Sequence, residues 1–335
     1  MKTIVYSTHG FDKPYLESSA GGKHQLSFTR QPLNSLSASL AEGYEAAILF
    51  SNDSAPSAII DRLYHCGIRF LIYRSTCTDQ VDIEYAKNIG MKVACIQDYA
   101  SRSVAEHAIT LLLSLNRKIQ LGQKLMAKDD FRLDRLVGFE MFNKTVGIMG
   151  TGKIGSHIAR ILQGFGCEIL GCDPEPNQKL VKELGIRYVR EEELLKKSDV
   201  VILSCPLTST NHYAIDRRAM EMMKSSALLI NVGRGGLIHT LDLIETLQEG
   251  KIGGAALDVY ENEGRIFFNY RGHIPVQDAV FNTLRKLPNV LITGHQGFLT
   301  KESLKSMAVK TIRQLDNWAI MKQRGIISPS GTFIP

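Results

Sequence analysis

The stretch VGIMGTGKIGSHIARILQGFG, residues 146–166, narrows the choice of fold more than any other part of the chain. A short apolar run is followed by three glycines, Gly150, Gly152 and Gly155, and then by apolar residues at helical spacing. Such a strand–turn–helix places unpaired N–H groups and the positive end of the helix dipole where an anion can meet them. Gly150 permits the tight turn, Gly152 lets a pyrophosphate approach the backbone, and Gly155 lets helix pack close on strand. The next apolar run, EILGCD, ends in Asp173, 18 residues beyond Gly155. A carboxylate there accepts hydrogen bonds from adenosine ribose hydroxyls and repels a 2′-phosphate. Pro174 follows, with no arginine to hold a phosphate. A chance glycine turn beside an exposed acid is the plain alternative, and the full strand–glycine–helix–strand–acid context argues against it. The expected cofactor is therefore NAD rather than NADP.

The rest of the chain repeats this alternation. Apolar runs TIVYST, HQLSFT, EAAILF, RFLIY and KVACI alternate with helical patterns up to about Asp98. A second series begins at KTVGIMG and runs through EILGCD, IRYVR, DVVILSC, ALLINVG and GGAALDV to NVLITG. Strands alternating with helices predict an α/β protein with doubly wound parallel sheets. Residues 103–126 carry apolar side chains at helical spacing and are expected to form one long helix linking two domains. The closing KESLKSMAVKTIRQLDNWAIMKQ predicts a helix that returns to the first domain.

A chain of 335 residues is long enough for two domains, each with its own core. Hydrophobic residues at 44% and charged residues at 22% are ordinary for a globular protein. No apolar run approaches the ~18 residues of a membrane helix, and the start reads as a first strand, so a cytoplasmic protein is expected. The net charge of +6 is dispersed without a basic block, which suits anionic small molecules at least as well as nucleic acid. The six cysteines, at 66, 77, 95, 167, 172 and 205, form no C-x-x-C pair and read as reduced thiols, not as a metal site or a disulfide framework.

Three strand-end positions of the second series carry reactive side chains: Arg234 in INVGRGGLI, Glu263 in LDVYENEG and His295 in LITGHQGF. Ligands of open α/β sheets bind outside the carboxyl ends of the strands, where these residues would gather. An arginine fork binds a carboxylate through two parallel hydrogen bonds. A histidine exchanges a proton with a hydroxyl or carbonyl oxygen, and a nearby glutamate fixes its ring and favours its charged form. Singly, Arg234 could pair with a surface acid, Glu263 could be solvated and His295 could be a core histidine. His107, beside Glu106, reads as a helix-packing residue, and Tyr260 and Phe267 as packing too. No G-x-S-x-G elbow is present.

The stretches AEHAITLLLSLNRKI, KTVGIMGTGKIG, CPLT, INVGRGGLI, LDVYENEG and PNVLITGHQGFLT, with the start IVYSTHGFDKPY, resemble the D-isomer-specific 2-hydroxyacid dehydrogenases, and among them the fermentative D-lactate dehydrogenases. The resemblance spans nearly the whole chain. It implies a flavodoxin-like substrate domain from residues 1–101 and 298–335, a Rossmann NAD-binding domain over 102–297, and an active site in the cleft between them. It implies Arg234 as the anchor of substrate carboxylate and carbonyl, His295 as the acid/base and Glu263 as its partner. The matching cofactor positions are Gly150, Gly152, Lys153, Ile154, Gly155, Asp173, Cys205, Pro206, Asn211, Val232, Gly233, Arg234 and Asp258. For substrate they are the backbone of Thr76 and Cys77, then Tyr99, Arg234, His295 and Phe298. A homodimer is also implied.

The expected reaction is reduction of pyruvate to D-lactate with NADH. Hydroxypyruvate, glyoxylate or a bulkier oxo acid is the competing substrate, and an NAD(H)-sensing interaction protein is the competing class, since the fold also occurs in transcriptional corepressors. The chain departs from the family where Cys77 replaces the usual glycine, where Ala100 and Ser101 replace Ser-Pro after Tyr99, and where Ser204 replaces a histidine before Cys-Pro. Of these, Cys77 and the Tyr99 segment bear on substrate choice, and Ser204 on the cofactor.

Overall fold

A computed structural model describes residues 1–75, 80–268, 272 and 274–324. The chain forms two compact units, Met1–Ala100 with Leu299–Pro335, and Ser101–Phe298.

In the first unit, β1 (Lys2–Val5), α1 (Lys13–Ala20), β2 (Gln25–Phe28), β3 (Ala46–Leu49), α2 (Ser57–His65), β4 (Phe70–Tyr73), α3 (Ile83–Asn88) and β5 (Lys92–Cys95) follow in chain order. The sheet order is β2-β1-β3-β4-β5 and every pairing is parallel, the flavodoxin-like winding. All four residues of β3 and of β4 are buried, as strands covered on both faces must be. Directly beyond β4, Arg74 is wholly buried against Asp12, whose other carboxylate oxygen accepts from the His9 amide. Pairing is what makes a buried guanidinium tolerable.

The second unit opens with α4 (Ser101–Asn116) and α5 (Ile119–Met126). The single helix expected over 103–126 is therefore broken. Lys118 takes φ +50°, and the Asn116 side chain donates to Phe139 O at 2.7 Å while accepting from Phe139 N at 2.9 Å. A side chain that satisfies a distant backbone in this way gives the chain an alternative to helix, which the apolar spacing does not reveal.

There follow β6 (Thr145–Met149), α6 (Lys153–Gly164), β7 (Glu168–Cys172), α7 (Gln178–Leu184), β8 (Arg187–Tyr188), α8 (Glu191–Lys197), β9 (Val200–Leu203), α9 (Arg217–Glu221), β10 (Leu228–Asn231), α10 (Thr240–Gln248), β11 (Gly254–Leu257), α11 (Ala279–Leu284) and β12 (Val290–Ile292). Their parallel sheet runs β12-β11-β10-β9-β6-β7-β8. Strand order reverses between β6 and β9, so the carboxyl ends of those two strands flank the crevice in which such sheets bind dinucleotides. The last helix, α12 (Lys301–Gln323), belongs to the first unit and packs on α1. Its Asp316 meets His24 and its Lys310 reaches Gln97 O at 2.9 Å.

Among the described residues no helix is long and apolar enough to cross a membrane, and no group of three His, Cys, Asp or Glu is placed to hold a metal ion. The described cysteines, at 66, 95, 167, 172 and 205, are free thiols.

Candidate active site

The glycine turn has the geometry its spacing predicts. Gly150 adopts φ +89°, and a Cβ on Gly155 would lie 2.0 Å from Gly150 O, so a side chain at 155 would force the turn off the helix. Gly152 has open space around it, and α6 begins directly after it, leaving the first amides of Lys153 and Ile154 at the helix N-terminus. Asp173 follows the end of β7 and is only half-buried. A pyrophosphate-and-ribose ligand fits this cradle: space over Gly152, a helix dipole beneath it and a carboxylate beside it.

Across the switch point, Cys205 lies against the turn; a Cβ on Gly150 would be 2.6 Å from its Cα. Ser204, where the resemblance implies histidine, donates through Oγ to Gly150 O at 2.7 Å and so braces the turn from below. Asn211 folds back to donate to Pro206 O at 2.8 Å. Val232 is buried, and Gly233 N is held by Asn231 Oδ1 at 3.0 Å. These five positions, Cys205, Pro206, Asn211, Val232 and Gly233, thus cluster at the ends of β9 and β10.

Arg234 opens a 3-10 turn, Gly235–Leu237, just beyond β10. A Cβ on Gly235 would lie 2.1 Å from the Tyr260 carbonyl carbon, so the glycine after Arg234 is what lets this loop rest on the one that carries Glu263. Glu263 is held by two bonds. Its Oε2 accepts from Tyr260 N at 3.0 Å, and its Oε1 lies 2.7 Å from His295 Nδ1. Both side chains are about one-fifth exposed, at 21% for His295 and 22% for Glu263, so the pair is shielded and still reachable. With Nδ1 committed to the carboxylate, Nε2 is the ring nitrogen that exchanges a proton. Phe298 lies edgewise to the imidazole and Phe268 is tilted against it, at 6.5 and 5.8 Å between ring centres.

His295 itself adopts φ +53°, a left-handed conformation that costs a residue with a side chain ~1–2 kcal/mol. Asp258 holds it there. The Asp258 carbonyl accepts from His295 N at 2.8 Å, and its carboxylate accepts from Gln296 N and Gly297 N, both at 2.9 Å, and from Thr293 Oγ1 at 2.6 Å. His107 Nε2, from α4, lies 3.1 Å from both Asp258 Oδ1 and Thr293 Oγ1, and Ser103, one turn earlier, donates to Gly297 O. Burial pushes the Asp258 carboxyl up, but the bonds from His107, Thr293 and Gln296 outweigh it and hold the group below the usual carboxylate range.

The resemblance gives Asp258 as a cofactor position, and the sequence reads His107 as packing. In the structure the Asp258 carboxylate also holds the loop that carries His295, and His107 joins that clamp as well as α4. The sequence reading does not single out Ser103 or Thr293; the available signal was a serine and a histidine four residues apart, on one face of α4. Tyr260 and Phe267 are buried against Phe281, as expected of packing residues. In the first unit, Tyr99 is half-buried beyond β5, while Thr76 and Cys77 lie outside the described residues.

Comparison with known proteins gives a consistent result. Residues 109–297 match the D-isomer specific 2-hydroxyacid dehydrogenase, NAD binding domain. The chain is 40% identical over 318 residues to the D-lactate dehydrogenase of Escherichia coli strain K12, covering 95% of this chain and 96% of that one. The structure of the pyruvate reductase of Chlamydomonas reinhardtii superposes with a TM-score of 0.89 at 37% identity, covering 96% of each chain. The apo structure of the Escherichia coli D-lactate dehydrogenase gives 0.86 at 38% identity, over 96% of this chain and 97% of that one. With its glycine cradle in place, the chain belongs to the D-isomer-specific 2-hydroxyacid dehydrogenases, NAD-dependent oxidoreductases.

Proposed function

We propose that this enzyme reduces pyruvate to D-lactate, with unit Met1–Ala100 and Leu299–Pro335 as substrate domain and Ser101–Phe298 as nucleotide domain. The observation that carries the catalytic assignment is the 2.7 Å contact of His295 Nδ1 with a glutamate that the Tyr260 amide already fixes. NADH, when bound, supplies the hydride that reduces the C2 carbonyl. Protonated His295 donates from Nε2 to the carbonyl oxygen, and Glu263 stabilises the imidazolium and holds its plane. Arg234 binds the substrate carboxylate and polarises the carbonyl, so the charge that develops on oxygen meets fixed positive groups. The left-handed His295 backbone, clamped through Asp258, keeps the ring in place through turnover.

Supporting pyruvate are the two relatives whose names state D-lactate dehydrogenase and pyruvate reductase. The competing reading, another 2-oxo acid, is favoured by the departures at Cys77 and Ser101. A panel of 2-oxo acids of rising side-chain size, each assayed with NADH and NADPH, separates the two. The expected result is the highest kcat/KM for pyruvate with NADH; a hundredfold preference for a bulkier oxo acid would overturn the substrate assignment.

We further infer a homodimer. Residues 119–142 expose Ile119, Met126, Phe131, Leu133, Val137 and Phe142, with Leu133 and Val137 each 73% exposed. Val137 also borders a cavity of about 520 Å³ lined by Leu115, Leu121, Phe139, Leu228 and Leu291. An apolar run this open suits an interface better than solvent. Sedimentation should give twice the chain mass, and Val137→Arg combined with Leu133→Arg should shift it towards monomer.

A further inference from the structure

We infer that Tyr188 is a positioning residue for the ribose end of the cofactor site and, through Asp173, sets the preference for NADH over NADPH. The inference rests on Asp173 being the ribose acid. Tyr188 lies on β8, two strands from the glycine turn, and no feature of the turn motif points to it.

Its hydroxyl nevertheless joins the two walls of that site. On one side it donates to Thr151 Oγ1 at 2.8 Å, inside the glycine turn. On the other it accepts from Asn177 N at 3.0 Å, in the loop that leaves Asp173. Each hydroxyl has a single proton, which fixes the direction of the chain. Tyr188 donates to Thr151, so Thr151 Oγ1 donates onward to Asp173 Oδ2 at 3.0 Å, where Thr151 N also donates at 2.6 Å. The second oxygen, Oδ1, accepts from Glu175 N at 2.9 Å.

Asp173 is thus held from both sides, with Tyr188 completing the ring of bonds. The tyrosine ring has little freedom of its own: it lies against Gly171, where a Cβ would come within 2.9 Å of Cε1. Thr151 is 1% exposed, so its hydroxyl has no water with which to replace a lost partner.

A carboxylate fixed in one place gives geometric discrimination that a loose one does not. Held still, it aligns with the two ribose hydroxyls and meets a 2′-phosphate at close range; freed, it swings aside and relieves the repulsion. The relay therefore strengthens NADH binding and keeps NADPH out by the same constraint.

Isothermal titration of the purified protein with NADH and, separately, NADPH reads both terms without depending on the oxo acid. For Tyr188→Phe the Kd for NADH should rise about five- to tenfold, as for one lost buried hydrogen bond. The Kd for NADPH should stay within about twofold, so the ratio of the two falls by nearly the same factor. Thr151→Ser, which keeps the hydroxyl, should retain the wild-type ratio, and Thr151→Val should lose it. In an Asp173→Asn background Tyr188→Phe should no longer change the ratio, because the coupling runs through the carboxylate. Equal weakening of both cofactors in Tyr188→Phe would show a merely structural tyrosine and overturn the inference. An unchanged ratio in Asp173→Asn alone would instead overturn the reading of Asp173 on which it rests.

Discussion

His295→Gln should lower kcat for pyruvate reduction by about 10²–10⁴-fold while leaving the Kd for NADH within about twofold, the range expected when a general acid is removed. Glutamine matches the imidazole in polarity and keeps a donor near Glu263 Oε1, which now lies 2.7 Å from His295 Nδ1, so the glutamate is not left buried without a partner. What it lacks is a transferable proton. The loss should therefore appear in kcat and kcat/KM together, as for a group that acts only in the transition state. Stopped-flow measurement of NADH oxidation in a single turnover, with NADH binding titrated alongside, checks both parts. Near-normal turnover with intact NADH binding would remove His295 from the mechanism.

Asp258→Asn should cost about 10- to 100-fold in kcat and about 3 kcal/mol in stability, because a buried acceptor of several charge-assisted bonds becomes partly a donor. The amide NH2 would face at least one of the groups that now donate to this carboxylate, namely Gln296 N, Gly297 N and Thr293 Oγ1. With the clamp loosened, the loop is free to leave the left-handed conformation it holds at His295, φ +53°, and the ring is misplaced without being altered. The sign of the pH effect is set by the same bonds. A carboxyl held below its ordinary value contributes stability that is present above about pH 4 and lost as pH falls through the depressed pKa. Wild-type protein should thus lose stability on acidification below about pH 4, and the asparagine variant should lack that share of the decline. Chemical denaturation at a series of pH values measures it. A variant of unchanged kcat would mean that the His295 loop holds its shape without Asp258.

The sheets were legible because both signals are local. Apolar runs of strand length alternate with helical spacing, and the glycine turn with Asp173 announces a nucleotide site. The pairing of Glu263 with His295 was foreshadowed too, since each follows a strand in the sequence and the strand ends of a parallel sheet converge. What stayed hidden depends on long-range partners. The break after Asn116 arises from hydrogen bonds to Phe139, 23 residues on, and apolar spacing alone reads straight through it. The clamp on His295 draws on Ser103, His107 and Asp258, which only the packing of α4 on the sheet assembles. Tyr188 was invisible for the same reason: its role comes from a strand pairing, β7 with β8, not from a motif.

Purified protein incubated with pyruvate and a slight deficit of NADH, followed by chiral chromatography of the product, tests the central claim most directly. One equivalent of D-lactate for each NADH consumed is the predicted result. L-lactate, or no pyruvate-dependent oxidation of NADH, would contradict it.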